Sequence, residues 1–287
     1  MEKFIAVFLL YLGLFIPSFF AQSYSFNIDK HGQGDPLILI PGLSSDGSVW
    51  DATVDSLKKD FTCYVLTLPG FAQQPPIEFE DQFLPLIQQE ITNLIKGLDK
   101  QATLMGHSLG GFMSMSIAAH EPELVKKVIV VDSYPFYSAA MNPAVTQELA
   151  EAQAKMFKAQ FLNMSDSIYA AQQKMTMSSM VTAPKDAELA TLWSIQSDRK
   201  TVAQAMYELM TTDLRPKVSD ISCPVLVLGS WYAAKDYGIT AEMVKGNYTS
   251  QLSGVKECQI MVAPTAKHFI MWDQPAWFME KVSTFLK

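Results

Sequence analysis

Short apolar runs rich in β-branched residues recur along the chain, with segments of helical character between most of them. They are PLILI at 36–40, CYVLTL at 63–68, ATLM at 102–105, VIVV at 128–131, PVLVL at 224–228 and QIMV at 259–262. Runs apolar on both faces suit strands buried on both sides, which is the condition of a parallel sheet covered by helices on either side. Between them, Leu84, Ile87, Ile91, Leu94 and Leu98 step by three or four and mark one face of an amphipathic helix. Phe278, Val282 and Phe285 do the same near the end of the chain, with Pro275 placed for a first turn. This alternation predicts an α/β fold with a mostly parallel central sheet flanked by helices.

One interval breaks the rhythm. From 134 to 217 no strand-like run occurs, while 146–161 and 186–210 favour helix. Eight of the chain's 16 methionines fall there: Met141, Met156, Met164, Met175, Met177, Met180, Met206 and Met210. The expected organisation is a core of 24–133 and 218–287 with a helical cap inserted at 134–217. Methionine is adaptable, so the cluster reads either as filler within the cap or as a pocket wall accepting varied apolar shapes.

At 287 residues, with 49% hydrophobic and 18% charged residues, the chain is globular and can bury a large core. A net charge of −7 and the lack of a basic stripe exclude nucleic acid as an expected partner. Met1-Glu2-Lys3 followed by an apolar run at 4–20, then Ala21-Gln22-Ser23, reads as a signal peptide spanning 1–23. Export to a periplasm or the exterior is expected, with no stable membrane partner after cleavage. The alternative is an uncleaved N-terminal anchor. Cys63, Cys223 and Cys258 cannot build a disulfide framework; they read as buried hydrophobes, with a Cys223–Cys258 pair open only if their strands are neighbours. Asn163-Met164-Ser165 and Asn247-Tyr248-Thr249 match the glycosylation acceptor pattern.

Chemistry enters with LMGHSLGG at 104–111. A tight strand-to-helix turn needs small residues on both sides of its apex, so Ser108 would sit there strained, with its hydroxyl held out of the core. A serine hydroxyl is a weak nucleophile unless a positioned base takes its proton. Of the four histidines, His31 lies in a polar turn, His107 is committed to the serine turn, and His120 sits near a helix end. His268 alone follows the last strand run and precedes the closing helix, so it can meet Ser108 at the sheet edge where strand C-termini converge. Attack on a carbonyl also needs N–H groups aimed at the developing oxyanion. The turn in LIPGLSSDGSVW at 39–50 offers the Leu43 N–H, and the helix after Ser108 offers the Leu109 N–H, with Trp50 expected beneath the loop.

These pieces together resemble the α/β-hydrolases, in their capped esterase and lipase branch. PLILIPG, VLTLPG, GHSLGG, VIVVDS, PVLVLGS and KHFIMWDQPAWF occur in the family's order across nearly all of the chain after residue 23. The resemblance implies Ser108 as nucleophile, His268 as base, and Leu43 and Leu109 as oxyanion donors, with no metal or organic cofactor. It also implies an acidic third member, and here the chain departs from the usual pattern. The carboxylate nearest after the next-to-last strand is Asp236, later than the family's common position. Asp132, at the end of the preceding strand, occupies a second position used by some members. Both are carried forward, leaning to Asp132 because a strand end holds a carboxylate more rigidly. The implied function is hydrolysis of a carboxylic ester of a small or medium apolar molecule through an acyl-enzyme. Carbon–carbon, amide or cofactor-free peroxidase chemistry on the same scaffold is the alternative, as is a binding protein that has lost catalysis.

Overall fold

The computed structural model describes residues 23–140 and 142–287, so the expected signal peptide lies almost wholly outside them. The strands are β1 (Asn27–Gly32), β2 (Asp35–Ile40), β3 (Phe61–Thr67), β4 (Ala102–His107), β5 (Val125–Val131), β6 (Val225–Gly229) and β7 (Cys258–Val262). They form one seven-stranded sheet ordered β1-β3-β2-β4-β5-β6-β7. β1 pairs antiparallel with β3, and every other pairing is parallel. All six residues of β4 and all five of β6 are buried, as expected of central strands covered on both faces.

The helices are α1 (Asp51–Leu57), α2 (Leu84–Lys96), α3 (Leu109–His120), α4 (Gln147–Asn163), α5 (Asp166–Met180), α6 (Pro184–Gln196), α7 (Arg199–Thr211), α8 (Ala241–Gln251), α9 (Ile270–Asp273) and α10 (Pro275–Leu286). The two sheet faces carry separate apolar clusters. Ile38, Leu104 and Val128 face the one that holds α2 and α3, while Leu37, Met105 and Ile129 face the one that holds α1 and α10. Trp50 is fully buried in the second cluster, stacked on Phe278 of α10 with ring centroids 6.4 Å apart. Helices α4 to α7 lie between β5 and β6, in the interval expected to be helical.

Several details differ from the sequence reading. The stretch 186–210 is two helices, because the Asp198 side chain accepts from the Thr201 N–H at 2.8 Å and starts α7 afresh. His31 lies in β1 rather than in a turn. Cys63, Cys223 and Cys258 are free thiols, in line with their reading as apolar filler, although Cys223 precedes β6 and Cys258 opens the neighbouring β7. The half-buried Asn247 side chain is tied down, its amide donating to the Ala140 carbonyl at 2.7 Å.

Candidate active site

The parallel strands end along one edge of the sheet, and the residues that follow them meet there. Ser108 follows β4 and adopts φ 52°, ψ −118°, a region that residues with a side chain rarely occupy. Its N–H donates to the Val131 carbonyl at 2.8 Å, and its carbonyl accepts from the N–H groups of Gly111 and Phe112 as α3 begins. The turn closes because Gly106 and Gly110 carry no side chain. A Cβ on Gly106 would lie 2.0 Å from the Gly110 carbonyl oxygen, and one on Gly110 would lie 2.2 Å from that of Ile40. Such strain, of order 1–3 kcal/mol, persists where the surroundings over-determine it, and it marks functional turns.

Asp132 follows β5 and is also in the left-handed region, at φ 50°. Its carboxylate is an acceptor for four donors. Oδ1 accepts from the Ser230 N–H at 2.7 Å and the Tyr248 hydroxyl at 3.1 Å. Oδ2 accepts from the Ser230 hydroxyl at 2.7 Å and lies 2.7 Å from Nδ1 of His268. The side chains of His268 and Asp132 are 23% and 11% exposed, so the pair is largely withdrawn from water. Asp236, the other candidate, lies in a short 3-10 turn with its side chain 80% exposed beside Lys235, 3.2 Å away. The structure therefore brings Asp132 to His268 and leaves Asp236 on the surface.

The partners of Asp132 and His268 include residues that sequence reasoning passed over. Tyr248 of α8 is fully buried and stacks on Tyr134 with centroids 4.0 Å apart. Burial, and then the Asp132 charge, push both phenols up, so each stays protonated and Tyr248 remains a donor. His107 is 1% exposed, and its ring lies 4.6 Å from that of His268 and 4.7 Å from that of Phe269. Burial first, and the neighbouring His268 second, hold His107 well below the ordinary histidine range, so it is neutral. Its Nε2 lies 3.1 Å from the His268 carbonyl oxygen and donates to it, because a carbonyl can only accept. Tyr248 could have been noticed only as an aromatic on the buried face of α8, since its own three residues read as a surface acceptor.

The turn before α1 stands beside the serine. A Cβ on Gly42 would lie 2.8 Å from Nδ1 of His107 and 3.3 Å from Cβ of Ser108, which sets the Leu43 backbone against the elbow. Leu109 opens α3, where the first N–H groups of a helix have no partner within it. His31 and His120 are elsewhere: the first is exposed on the edge strand, and Nδ1 of the second lies 2.8 Å from the Ser116 carbonyl oxygen.

A parallel sheet bearing a strained serine between strand and helix, with a histidine–aspartate pair on the same edge, is the architecture of an α/β-folded hydrolase. The chain belongs to the alpha/beta hydrolase family, whose model matches residues 37–281. It is similar to the pimeloyl-[acyl-carrier protein] methyl ester esterase of Vibrio atlanticus, 28% identical over 200 residues that cover 69% of this chain and 76% of the relative. The enzyme of the same name from Vibrio campbellii is 27% identical over 242 residues, covering 82% and 89%. Among solved structures, a thermophilic esterase from Thermogutta terrifontis superposes with a TM-score of 0.74 at 18% identity, covering 91% of this chain and 92% of that one. A bromoperoxidase from Bacillus anthracis gives the same score at 16% identity, covering 91% and 95%. At such identities the structural likeness speaks to the fold.

Proposed function

We propose that the protein is a serine esterase. The observation that carries this reading is the conjunction of Ser108 in its strained elbow with the His268–Asp132 pair, 2.7 Å apart, on one sheet edge. Asp132 accepts from Nδ1–H, which leaves Nε2 bare to take the Ser108 proton as the hydroxyl oxygen bonds to the ester carbonyl carbon. The Leu43 and Leu109 N–H groups hold the oxyanion of the tetrahedral intermediate. Collapse expels the alcohol, which receives the proton from His268, and water then cleaves the acyl-enzyme by the same route. The relatives named as methyl ester esterases support the ester class.

The substrate we favour is a small or medium apolar ester, with α4 to α7 serving as a cap. Met177 and Trp193 of the insertion share one apolar cluster with Phe269, next to His268. Export is proposed on the signal-like pattern of residues 1–23, with an uncleaved N-terminal anchor as the alternative. The test is hydrolysis of p-nitrophenyl esters of graded acyl length by the wild type and by Ser108→Ala. The variant should lose several orders of magnitude in turnover, because triad members act as a unit. Retention of a tenth of wild-type turnover would overturn the assignment.

A further inference from the structure

His268 is tied to the helical insertion through the residues on both sides of it. The Lys267 ammonium donates to the carbonyls of Ser178 and Val181, each at 3.0 Å, in the last turn and at the C-cap of α5. The Phe269 N–H reaches the Met180 carbonyl at 3.4 Å. Asp273, the last residue of α9, completes the tie. Its Oδ2 accepts from the Lys267 N–H and from the Thr182 hydroxyl, each at 2.8 Å, and its Oδ1 accepts from the Thr182 N–H at 2.9 Å. By contrast, the sheet edge holds His268 itself, through Asp132 on the ring and His107 on the carbonyl.

A cation one residue from a base that must itself become positive would oppose proton transfer if it faced that base. Lys267 instead directs its charge to the carbonyl end of α5, where the helix dipole favours a cation. The same contact is apolar beneath: Met177, Val181, Trp193, Ala266 and Phe269 belong to one buried cluster. Close-packed interfaces transmit displacement rather than absorb it.

We propose that the 178–182 turn of the insertion, acting through Lys267 and Asp273, positions His268 for proton transfer. Lys267, Asp273 and Thr182 are positioning residues in a reaction that rests on the esterase reading above. The insertion is then a working part of the proton-transfer geometry as well as a wall over the substrate, and a shift of α5 reaches the His268–Asp132 bond.

The test compares the full wild-type chain with Lys267→Met, Lys267→Arg and Thr182→Val. The readouts are kcat and KM for p-nitrophenyl acetate and octanoate, the rate of Ser108 labelling by a fluorophosphonate, and the melting temperature. Lys267→Met should lower kcat and the labelling rate together, by about 10- to 100-fold, as misplacement of a reacting group does. The loss should be alike for both esters, with KM moving far less. Lys267→Arg should recover most of it, and Thr182→Val should fall in the same direction by less. Wild-type kcat and labelling in Lys267→Met, with only a lowered melting temperature, would reduce the tie to a fastening and overturn the proposal. An effect confined to KM for the octanoate would overturn it too, in favour of a pocket wall. Should Lys267→Met not fold, Thr182→Val decides alone, since unchanged kcat and labelling there refute positioning. Failure of the wild type to label would strike the esterase reading instead.

Discussion

Replacing Asp132 by Asn removes one charge and one of two acceptor oxygens from a group that meets four donors. The Ser230 N–H is a backbone donor that cannot turn away, whereas the Ser230 and Tyr248 hydroxyls can rotate. The Asn oxygen therefore stays on the Ser230 N–H, which turns its NH2 toward His268. That arrangement favours the tautomer with the proton on Nε2, which then cannot accept the serine proton. For a triad aspartate such a change costs on the order of 10⁴ in turnover, or about 5 kcal/mol at 1.36 kcal/mol per decade. Stability should fall by only about 1–3 kcal/mol for the disturbed buried bonds. In a chain of this size each kcal/mol lowers the melting temperature by about 2–4 °C. Steady-state hydrolysis of a p-nitrophenyl ester, beside a thermal melt, separates the two effects. Asp236→Asn, made alongside, should keep wild-type turnover because that side chain faces water. Retention of more than a tenth of turnover in Asp132→Asn, or collapse in Asp236→Asn, would refute the reasoning.

Gly106→Ala should prevent soluble expression or sharply lower the melting temperature, because its Cβ would meet backbone at 2.0 Å rather than a movable side chain; near-wild-type melting would contradict the packing of the elbow. The Glu208 carboxylate accepts the Phe83 and Leu84 N–H groups at 2.7 Å each, yet burial holds its pKa above the ordinary 4.5. A carboxyl raised in the folded state keeps its proton where the unfolded chain has lost it. Its contribution to stability is therefore full below pH 4.5 and is lost as pH rises through the folded value. Melts of wild type and Glu208→Gln from acid to neutral pH should show the wild type losing ground with rising pH, and a gain would contradict the shift. Burial pushes the thiols of Cys63, Cys223 and Cys258 up to about 11, so the native protein should react slowly with a thiol reagent at pH 8 and melt identically with and without reductant. Fast labelling of the native chain would show otherwise.

The central strands were legible because burial on both faces leaves runs with no polar position, as at 36–40 and 128–131. β1 was not, because NIDKHG is an edge strand almost wholly exposed, held by its backbone pairing with β3 and carrying no apolar pattern. The break at Asp198 was legible in principle, since Ser197-Asp198 offers N-cap residues inside a helical run. Ser108 and His268 stood out from local turn chemistry and chain order. The choice between Asp132 and Asp236 did not, because both follow strands and only the direction in which the β6 and β7 loops fold decides which meets His268. The Lys267 contacts left no trace for a similar reason: their acceptors are backbone carbonyls, which any residue supplies.

The activation of Ser108 can be measured most directly by treating the purified protein with a fluorophosphonate, which reacts with an activated serine, and locating the adduct by mass spectrometry. One phosphonyl group on the peptide bearing Ser108 is expected, with none on Ser108→Ala and a much slower reaction in His268→Ala. An unlabelled wild type, or an adduct on another residue that persists in Ser108→Ala, would contradict a nucleophilic serine at the β4–α3 elbow.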